Sequence, residues 1–288
     1  MIANSKNSTS PNDIALFHRR TLRSNQIRRD RVGTGIWMAY DISPKDLYSA
    51  VHSLENTPKR ILKSSHINRV LVGELLGESV ILKRYDLPRL RHQFKYVMRP
   101  SRGRRAWASA LTLKTFEIPT TPCLGFFECR TKLPNTSYVV FRFEPDVVSA
   151  RKWIKAWLHQ RPDEFRTGFG NDLTHSLLAL YRLGIYHADT KSSNILVRAP
   201  EDPEKREFLW IDLECVQFDV SLSRRKVMRN LVQLNGSIGA KLSDRDRLEF
   251  LHGLSEMFPW VQDPHVAERI RTWTHERLKR EQTGQCGP

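Results

Sequence analysis

A short polar segment in the second half of the chain carries residue types that phosphoryl transfer requires. Asp189, Lys191 and Asn194 occupy one stretch of six residues, and Asp212 follows the apolar run 208–211. In such a reaction one carboxylate orients the attacking hydroxyl and accepts its proton, while an amide oxygen and a second carboxylate hold Mg²⁺ on the nucleotide phosphates. We therefore expect Asp189 to be the catalytic base, Lys191 to neutralise charge on the γ-phosphate, and Asn194 and Asp212 to bind the metal.

The spacing of these residues is typical of a kinase catalytic loop, in which an Asp precedes an Asn by five positions. His187 stands two residues before Asp189, and we expect it to support the loop structurally. A lone His-x-Asp is more often an ordinary structural pair, but several spaced residues between a helix and short strands favour a site. Asp212-Leu213-Glu214 replaces the kinase Asp-Phe-Gly, so the metal carboxylate is kept and the glycine hinge is not.

A second group of candidate residues lies in the first half of the chain. Lys83 ends the strand-like run 80–83, about a hundred residues before the catalytic loop, where a kinase places the lysine that contacts the α- and β-phosphates. No Walker A motif or glycine-rich loop precedes it. We expect the hydroxyls of Ser64 and Ser65, together with backbone N–H groups, to cover the phosphates instead.

The elements that position these two groups differ between the halves of the chain. Runs rich in β-branched residues predict the strands of the first half: 61–72, 79–85, 124–129 and 137–143. A helical period predicts one helix before residue 144 and at least four after it: 101–114, a helix containing 173–181, then 222–235, 243–257 and 265–281. This pattern predicts an α+β, two-lobed protein-kinase-like fold. The predicted lobes are a β-rich N-lobe at 56–143 and a mainly helical C-lobe at 144–288, preceded by a basic, partly disordered arm and lead-in at 1–55.

Taken in order, these motifs resemble the lipopolysaccharide core kinase (Kdo/WaaP) family, protein-kinase-like enzymes that phosphorylate a Kdo or heptose sugar of the lipid A inner core. The resemblance runs from about residue 61 to 250 and rests on these segments: 80–85, 102–107, 118–122, 186–196, 211–214 and 230–235 with Ser237. It implies that Lys83 binds ATP, that Asp189 is the catalytic base, and that Asn194 and Asp212 bind Mg²⁺. ATP and Mg²⁺ are the implied cofactors, and a lipopolysaccharide core sugar is the implied acceptor.

One feature departs from the kinase pattern. Protein kinases pair the strand lysine with a glutamate on a helix, whereas the predicted helix 101–114 contains no acidic residue. Either Glu117 or Glu74 could replace that glutamate, or Lys83 could be held in another way. An active enzyme is favoured because the base and both metal ligands are present.

The distribution of charge bears on the partners. The chain has 47 Lys and Arg against 31 Asp and Glu, a formal net charge of +16, and residues 83–105 alone contain nine cations and one acid. Near an anionic bilayer each cation contributes about 1 kcal/mol, and Phe94, Tyr96, Val97 and Met98 could insert. We expect peripheral attachment to an anionic membrane surface, with nucleic acid an unlikely partner because no nucleic-acid-binding motif is present.

Other features indicate the compartment. No apolar run is long enough to span a bilayer, the first residues are polar, and four cysteines in this length form no disulfide framework. These features predict a cytoplasmic protein at the inner face of the cytoplasmic membrane. The sequence does not indicate the oligomeric state.

Two alternatives remain at this point. One is a soluble small-molecule kinase of the aminoglycoside or choline kinase type, which shares the His-x-Asp and Ile-Asp-x-Glu layout. The other is an inactive kinase fold that binds membrane or nucleic acid through its basic surface, as the missing helix glutamate would allow.

Overall fold

The computed structural model describes residues 10–23, 35–39, 44–65, 67–75, 77–87, 99–130, 134–218, 221–238 and 242–283. These residues form two compact units. The sheet unit comprises residues 14–145 and the segment Asp212–Val216, and the helical unit comprises residues up to 13, 146–211 and 217 onward. The antiparallel sheet at the N-terminal side and the helices at the C-terminal side confirm the predicted α+β class.

Within the described residues, the sheet unit contains six strands and three helices. The strands are β1 (Gly35–Ala39), β2 (Arg60–Ser64), β3 (Asn68–Leu75), β4 (Glu78–Asp86), β5 (Cys123–Arg130) and β6 (Pro134–Arg142). The helices are α1 (Pro11–Arg23), of which the residues from Ile14 onward belong to this unit, α2 (Pro44–Asn56) and α3 (Arg102–Thr115). The strands pair antiparallel in the order β1-β5-β6-β4-β3-β2. The strands predicted at 79–85, 124–129 and 137–143 are present as β4, β5 and β6. The single strand predicted at 61–72 is instead two antiparallel strands, β2 and β3, and β1, α1 and α2 were not predicted.

The start of α3 is specified by local chemistry. Ser101 caps the helix, because its hydroxyl accepts a hydrogen bond from the backbone N–H of Arg104 at 3.1 Å. The side chain of Trp107 is fully buried and its ring centroid lies 5.2 Å from that of Phe126 on β5. The helix can approach the sheet closely because residue 103 is glycine: a Cβ there would lie 2.6 Å from the backbone oxygen of Tyr138.

Part of the stretch expected to be an arm is folded. The ring of Phe17 on α1 packs edge-on against Phe116, with centroids 5.7 Å apart, and Ile14 is fully buried. On α2, Val51 and Leu54 are buried in the core of the sheet unit. A few apolar residues at helical spacing are enough to dock these helices. Because most of their neighbours are basic or polar, the sequence pattern did not predict the two helices.

The helical unit is built around a long buried helix. Its helices are α4 (Ala150–Ala156), α5 (Asp163–Arg182), α6 (Arg224–Ile238), α7 (Asp244–Leu254) and α8 (Pro264–Gln282). Its strands are β7 (Val147–Ser149), β8 (Tyr186–His187), β9 (Ile195–Arg198) and β10 (Glu207–Trp210), and the two-residue strand β11 (Val216–Gln217) follows at the junction of the units. Strands β10, β9 and β7 form an antiparallel sheet in that order.

The predicted leucine stripe of α5 is in the core. Leu173, Leu177, Leu178 and Tyr181 are each at most 3% exposed, and the helix ends before Gly184, which has a φ of +64°. Glycine adopts that left-handed conformation without steric cost, so the chain turns sharply at this point. The turn directs the backbone into β8 and the predicted catalytic loop. Among the described helices, none is both long enough and apolar enough to cross a bilayer.

Candidate active site

The predicted catalytic loop connects β8 to β9 in the helical unit. Asp189 follows the two-residue strand β8 directly after Ala188, and a 3-10 turn at Ser192–Asn194 leads into β9. Short strands on both sides fix the two ends of the loop, so its polar side chains are held on a rigid frame. Functional side chains on loops carried by rigid elements are typical of enzyme sites.

Asp189, Lys191 and Asn194 converge within this loop. The Lys191 ammonium lies 2.8 Å from Asp189 Oδ2, and the amide Nδ2 of Asn194 donates to the same oxygen at 2.9 Å and to the Asp189 backbone oxygen at 3.0 Å. The Asp189 side chain is 29% exposed. These contacts engage Oδ2, so Oδ1 of an accessible carboxylate is left to meet an acceptor hydroxyl.

His187 supports the loop from beneath, as its sequence position indicated. Its ring is 1% exposed, its Nδ1 accepts from the backbone N–H of Asp189 at 3.3 Å, and its Nε2 lies 2.9 Å from the backbone oxygen of Ile211. Because Nδ1 is the acceptor, Nε2 carries the proton and donates to Ile211. The backbone N–H of Ile211 in turn donates to the backbone oxygen of Asn194 at 3.0 Å. This hydrogen bond joins the loop to the segment just before Asp212.

Helix α6 contributes a polar face that was not assigned a role from the sequence. Gln233 accepts from the backbone N–H of Thr190 and donates to the Ala188 oxygen, both at 2.9 Å. Asn230 donates to the His187 oxygen at 2.9 Å, and Ser237 accepts from the backbone N–H of Ser192 at 2.7 Å. These three helix residues recur at i, i+3 and i+7, so they share one face. Polar residues at a buried helical period were the signal that could have identified them.

The second group of candidate residues lies in the sheet unit. The Lys83 ammonium is 3.1 Å from Asp212 Oδ1 and 5.6 Å from the centroid of the Phe141 ring. Asp212 has a left-handed backbone, with φ at +68° and ψ at +49°. Such a conformation is uncommon in a non-glycine residue and is frequent at functional sites. The expected ATP lysine and one expected metal ligand are therefore brought together.

Of the three possibilities left open for Lys83, the structure supports the one in which neither Glu74 nor Glu117 is its partner. Glu74 on β3 is paired with Lys59 at 2.5 Å, and Glu117 is an exposed residue with φ at +57° just beyond α3. Among the described residues, the carboxylate that meets Lys83 is Asp212. The lysine is held by the metal-ligand candidate itself and not by a helix glutamate.

A buried ionic contact lies beside this pair. Arg102, the first residue of α3, places a guanidinium nitrogen 2.8 Å from Glu214 Oε1, and the Tyr85 hydroxyl donates to Glu214 Oε2 at 3.2 Å. Burial, reinforced by the negative charge of Glu214, raises the pKa of Tyr85 well above its ordinary value. Tyr85 is therefore a neutral donor across the physiological pH range.

The two serines expected to cover the phosphates occupy the β2–β3 hairpin. The Ser65 hydroxyl donates to the Asn68 backbone oxygen and accepts from the Asn68 N–H, both at 3.1 Å, while Ser64 is exposed. Ser65 thus closes the turn between the two strands. Their contact with phosphate remains a prediction.

The basic stretch 83–105 is partly neutralised from within. Lys83 meets Asp212, Arg84 meets Glu55 and Asp86, and Arg102 meets Glu214. Three of the nine cations counted in this stretch are therefore paired with carboxylates within the chain. Residues 88–98, which include the expected membrane-inserting side chains, lie outside the described part of the chain.

A separate cleft lies in the helical unit. Its lining is mainly apolar and includes Leu173, Leu231, Leu234, Ile238, Leu251 and Ile270. Asp189, Lys191 and Asn194 do not line it. We therefore locate the candidate chemistry at the catalytic loop and not in the cleft.

Comparisons with known proteins bear on the family and the fold of the chain. Residues 80–253 match the lipopolysaccharide kinase (Kdo/WaaP) family. A solved structure described as WaaP in complex with acyl carrier protein is similar, with a TM-score of 0.59 and 17% sequence identity over 80% of this chain and 92% of that chain. A search of curated proteins gave no significant match. The structural likeness confirms the predicted protein-kinase-like fold.

Proposed function

Because the chain belongs to the lipopolysaccharide kinase (Kdo/WaaP) family, we propose that it transfers the γ-phosphate of ATP to a hydroxyl of a Kdo or heptose sugar in the lipopolysaccharide inner core. The observation that carries this proposal is the arrangement at Asp189, whose carboxylate is oriented by Lys191 and Asn194 and is open to an acceptor. A carboxylate held this way is suited to accept a proton from a sugar hydroxyl.

In the proposed reaction Asp189 orients the acceptor hydroxyl and takes its proton as the acceptor oxygen bonds to the γ-phosphorus, while the bond from that phosphorus to the β–γ bridging oxygen breaks and ADP leaves. Lys191 moves from its ion pair with Asp189 toward the transferred phosphoryl group and offsets its negative charge. Asn194 keeps the carboxylate in place through the two hydrogen bonds of its amide nitrogen. His187 and the polar face of α6 hold the loop backbone so that these side chains need not reorganise during the reaction.

The residues present fit an Mg²⁺–nucleotide complex. Mg²⁺ prefers oxygen ligands and is commonly held by one or two carboxylates together with substrate phosphates. Asp212 provides a carboxylate, and Asn194 provides its amide oxygen because its nitrogen is bonded to Asp189. Among the described residues, no cluster of three or more His, Cys, Asp or Glu could hold a metal without such phosphates. When bound, Mg²⁺ would neutralise charge on the phosphates; Lys83, Ser64 and Ser65 would contact those phosphates directly.

The decisive experiment is an acceptor assay with matched variants. The full-length protein is incubated with ATP, Mg²⁺ and core lipopolysaccharide, and mass spectrometry is used to detect an added phosphate. Asp189→Ala should lower the rate by about 10²- to 10⁴-fold, because it removes the base. Asp202→Ala is the control, since Asp202 lies in the turn between β9 and β10 and pairs with Lys205. The proposal fails if wild-type protein phosphorylates no Kdo- or heptose-terminated acceptor.

The two alternatives give different outcomes in the same assay. Transfer to a soluble sugar or amino alcohol, without any lipid-linked acceptor, would favour a small-molecule kinase. Absence of Mg²⁺-dependent ATP turnover in both wild type and Lys83→Ala would favour an inactive fold. The ion pair of Lys83 with Asp212 argues against inactivity, because the nucleotide-side lysine is held beside a metal-ligand candidate despite the missing helix glutamate.

We further propose that the reaction takes place at the inner face of the cytoplasmic membrane, where the basic stretch 83–105 would meet anionic lipid. Vesicle sedimentation at two salt concentrations tests this attachment. Acyl carrier protein is a candidate partner, because the similar solved structure is a complex with that protein. Titration of this chain with purified acyl carrier protein tests that contact separately.

A further inference from the structure

Strand β4 meets the segment after β10 at two matched positions. Lys83 and Tyr85 are two residues apart and so point to the same face of the strand, and Asp212 and Glu214 are also two residues apart. Lys83 contacts Asp212 Oδ1 at 3.1 Å, and the Tyr85 hydroxyl contacts Glu214 Oε2 at 3.2 Å. The segment that carries the metal-ligand candidate Asp212 is therefore bound to β4 twice, by Asp212 itself and by Glu214 two residues later.

Arg102 connects this contact to two more elements. Its guanidinium donates to Glu214 Oε1 at 2.8 Å and to the side-chain oxygen of Asn68, at the β2–β3 turn, at 3.2 Å. The same group lies 4.6 Å from the centroid of the Tyr85 ring, within range of a cation–π interaction. A single planar cation thus links α3, the hairpin expected to cover the phosphates, and the Asp212 segment.

The surroundings of Glu214 exclude it as a metal ligand in this arrangement. Its side chain is 4% exposed, and each of its oxygens has a partner, Arg102 on Oε1 and Tyr85 on Oε2. A buried carboxylate is stable only when it is paired and hydrogen-bonded, and both conditions are met here. Glu214 is an anchor, and the residue it anchors by its position in the chain is Asp212.

We propose that Arg102, Glu214 and Tyr85 form a positioning group that holds Asp212 and the β2–β3 turn for Mg²⁺·ATP, in place of the missing helix glutamate. The polarity is reversed: here the helix provides the cation and the segment after β10 provides the anion. A link between the helix and the nucleotide site is kept although the helix carries no acid. This inference rests on the proposed use of Mg²⁺·ATP and not on the identity of the acceptor.

Four single variants of the full chain test the group: three are conservative, and the fourth, Arg102→Met, removes the cation. Glu214→Gln keeps the shape and removes the charge, Tyr85→Phe removes one hydroxyl, and Arg102→Lys keeps a cation but loses the planar double contact. The matched control is Glu78→Gln, because Glu78 forms an exposed ion pair with Arg142 in the same sheet. Circular dichroism and thermal unfolding establish that each variant is folded. If Glu214→Gln does not fold, the Mg²⁺·ATP affinity of Tyr85→Phe is used as the test instead.

Two readouts are used besides turnover. Calorimetric titration with Mg²⁺·ATP should show an affinity about 10- to 100-fold weaker in Glu214→Gln, the usual effect of removing a group that orients a metal ligand. Arg102→Lys should retain more affinity than Arg102→Met. Amide hydrogen exchange of residues 212–216 without nucleotide should be faster in Glu214→Gln and unchanged in Glu78→Gln. KM for the acceptor should stay at the wild-type value.

The outcomes separate this inference from the proposed function. Wild-type Mg²⁺·ATP affinity in Glu214→Gln and Tyr85→Phe would overturn the positioning group. An equal loss of affinity in Glu78→Gln would also overturn it, because the effect would then be a general loss of sheet stability. Binding of Mg²⁺·ATP by the wild type without transfer to any core sugar would overturn only the proposed acceptor. No binding of Mg²⁺·ATP by the wild type would overturn both.

Discussion

Replacing Gln233 by leucine tests whether α6 holds the catalytic loop in its working conformation. Gln233 is 7% exposed and bonds two backbone groups of the loop, the N–H of Thr190 and the oxygen of Ala188. Leucine has a similar volume but cannot bond either group. The variant therefore isolates the hydrogen bonds from the packing.

The free energy lost in Gln233→Leu depends on how deeply the two backbone groups are buried. Thr190 is 1% exposed, so its N–H would lose its partner with little access to water, at a cost of about 1–3 kcal/mol. Ala188 is half-buried, so its oxygen would partly rehydrate and contribute about 1 kcal/mol. The loop should open more easily by about 2–4 kcal/mol, which corresponds to roughly 30- to 900-fold in an equilibrium constant.

Amide hydrogen exchange of the peptide covering residues 186–194 measures this opening directly, and phosphate transfer measures its effect on Asp189. The control is Gln262→Leu, the same substitution at an exposed residue that bonds Ser255 at 2.8 Å. It should change stability by about 0.5 kcal/mol or less. If Gln233→Leu exchanges and reacts as Gln262→Leu does, α6 does not hold the loop and the reasoning fails.

Three further predictions concern the sheet unit. Gly103→Ala should destabilise the unit by about 1–3 kcal/mol, because the new methyl group would press on the Tyr138 backbone oxygen, whereas Gly168→Ala, with open space around it, should be neutral or stabilising in the same urea unfolding experiment. Burial lowers the pKa of His18 from 6.5 to about 4, so the unfolded chain takes up a proton that the folded ring does not. As the pH is lowered from 6.5 to 4, the free energy of unfolding should therefore fall by about 1.4 kcal/mol per pH unit, and below pH 4 it should stay constant. The variant His18→Gln should not show this dependence on pH. Lys83→Met should lower the rate of phosphate transfer by about 10²- to 10³-fold; an unchanged rate would contradict the assignment of this lysine to ATP.

The elements around the site were predictable because their signals are local. A few neighbouring residues determine the alternating burial along β4 and the serine cap of α3. The same is true of the glycine that follows α5. The candidate catalytic loop could be proposed for the same reason, since its residues lie within six positions. Short-range patterns of this kind depend on the backbone period and on turn chemistry, not on the rest of the fold.

The partners of the charged residues were not predictable, because they depend on distant parts of the chain. Arg102 and Glu214 are 112 positions apart, and Lys83 and Asp212 are 129 apart. No local pattern states which carboxylate a cation will meet once the sheet has formed. Protein kinases place a glutamate on this helix, whereas here the helix provides the cation Arg102, which pairs with Glu214.

These pairings reduce the positive charge that the stretch 83–105 can offer to an external anion. Of the nine cations between residues 83 and 105, Lys83, Arg84 and Arg102 bind carboxylates of this chain, and Arg104 and Arg105 are half-buried. At about 1 kcal/mol for each cation, the three paired cations would reduce the attraction proposed for an anionic bilayer by about 3 kcal/mol relative to the sequence count. Part of the positive charge in this stretch is internal to the fold, where it pairs with Asp212 and with the Glu214 that anchors it. We therefore expect the proposed membrane attachment and the proposed nucleotide binding to use different cations, so that substitutions of one set leave the other property intact.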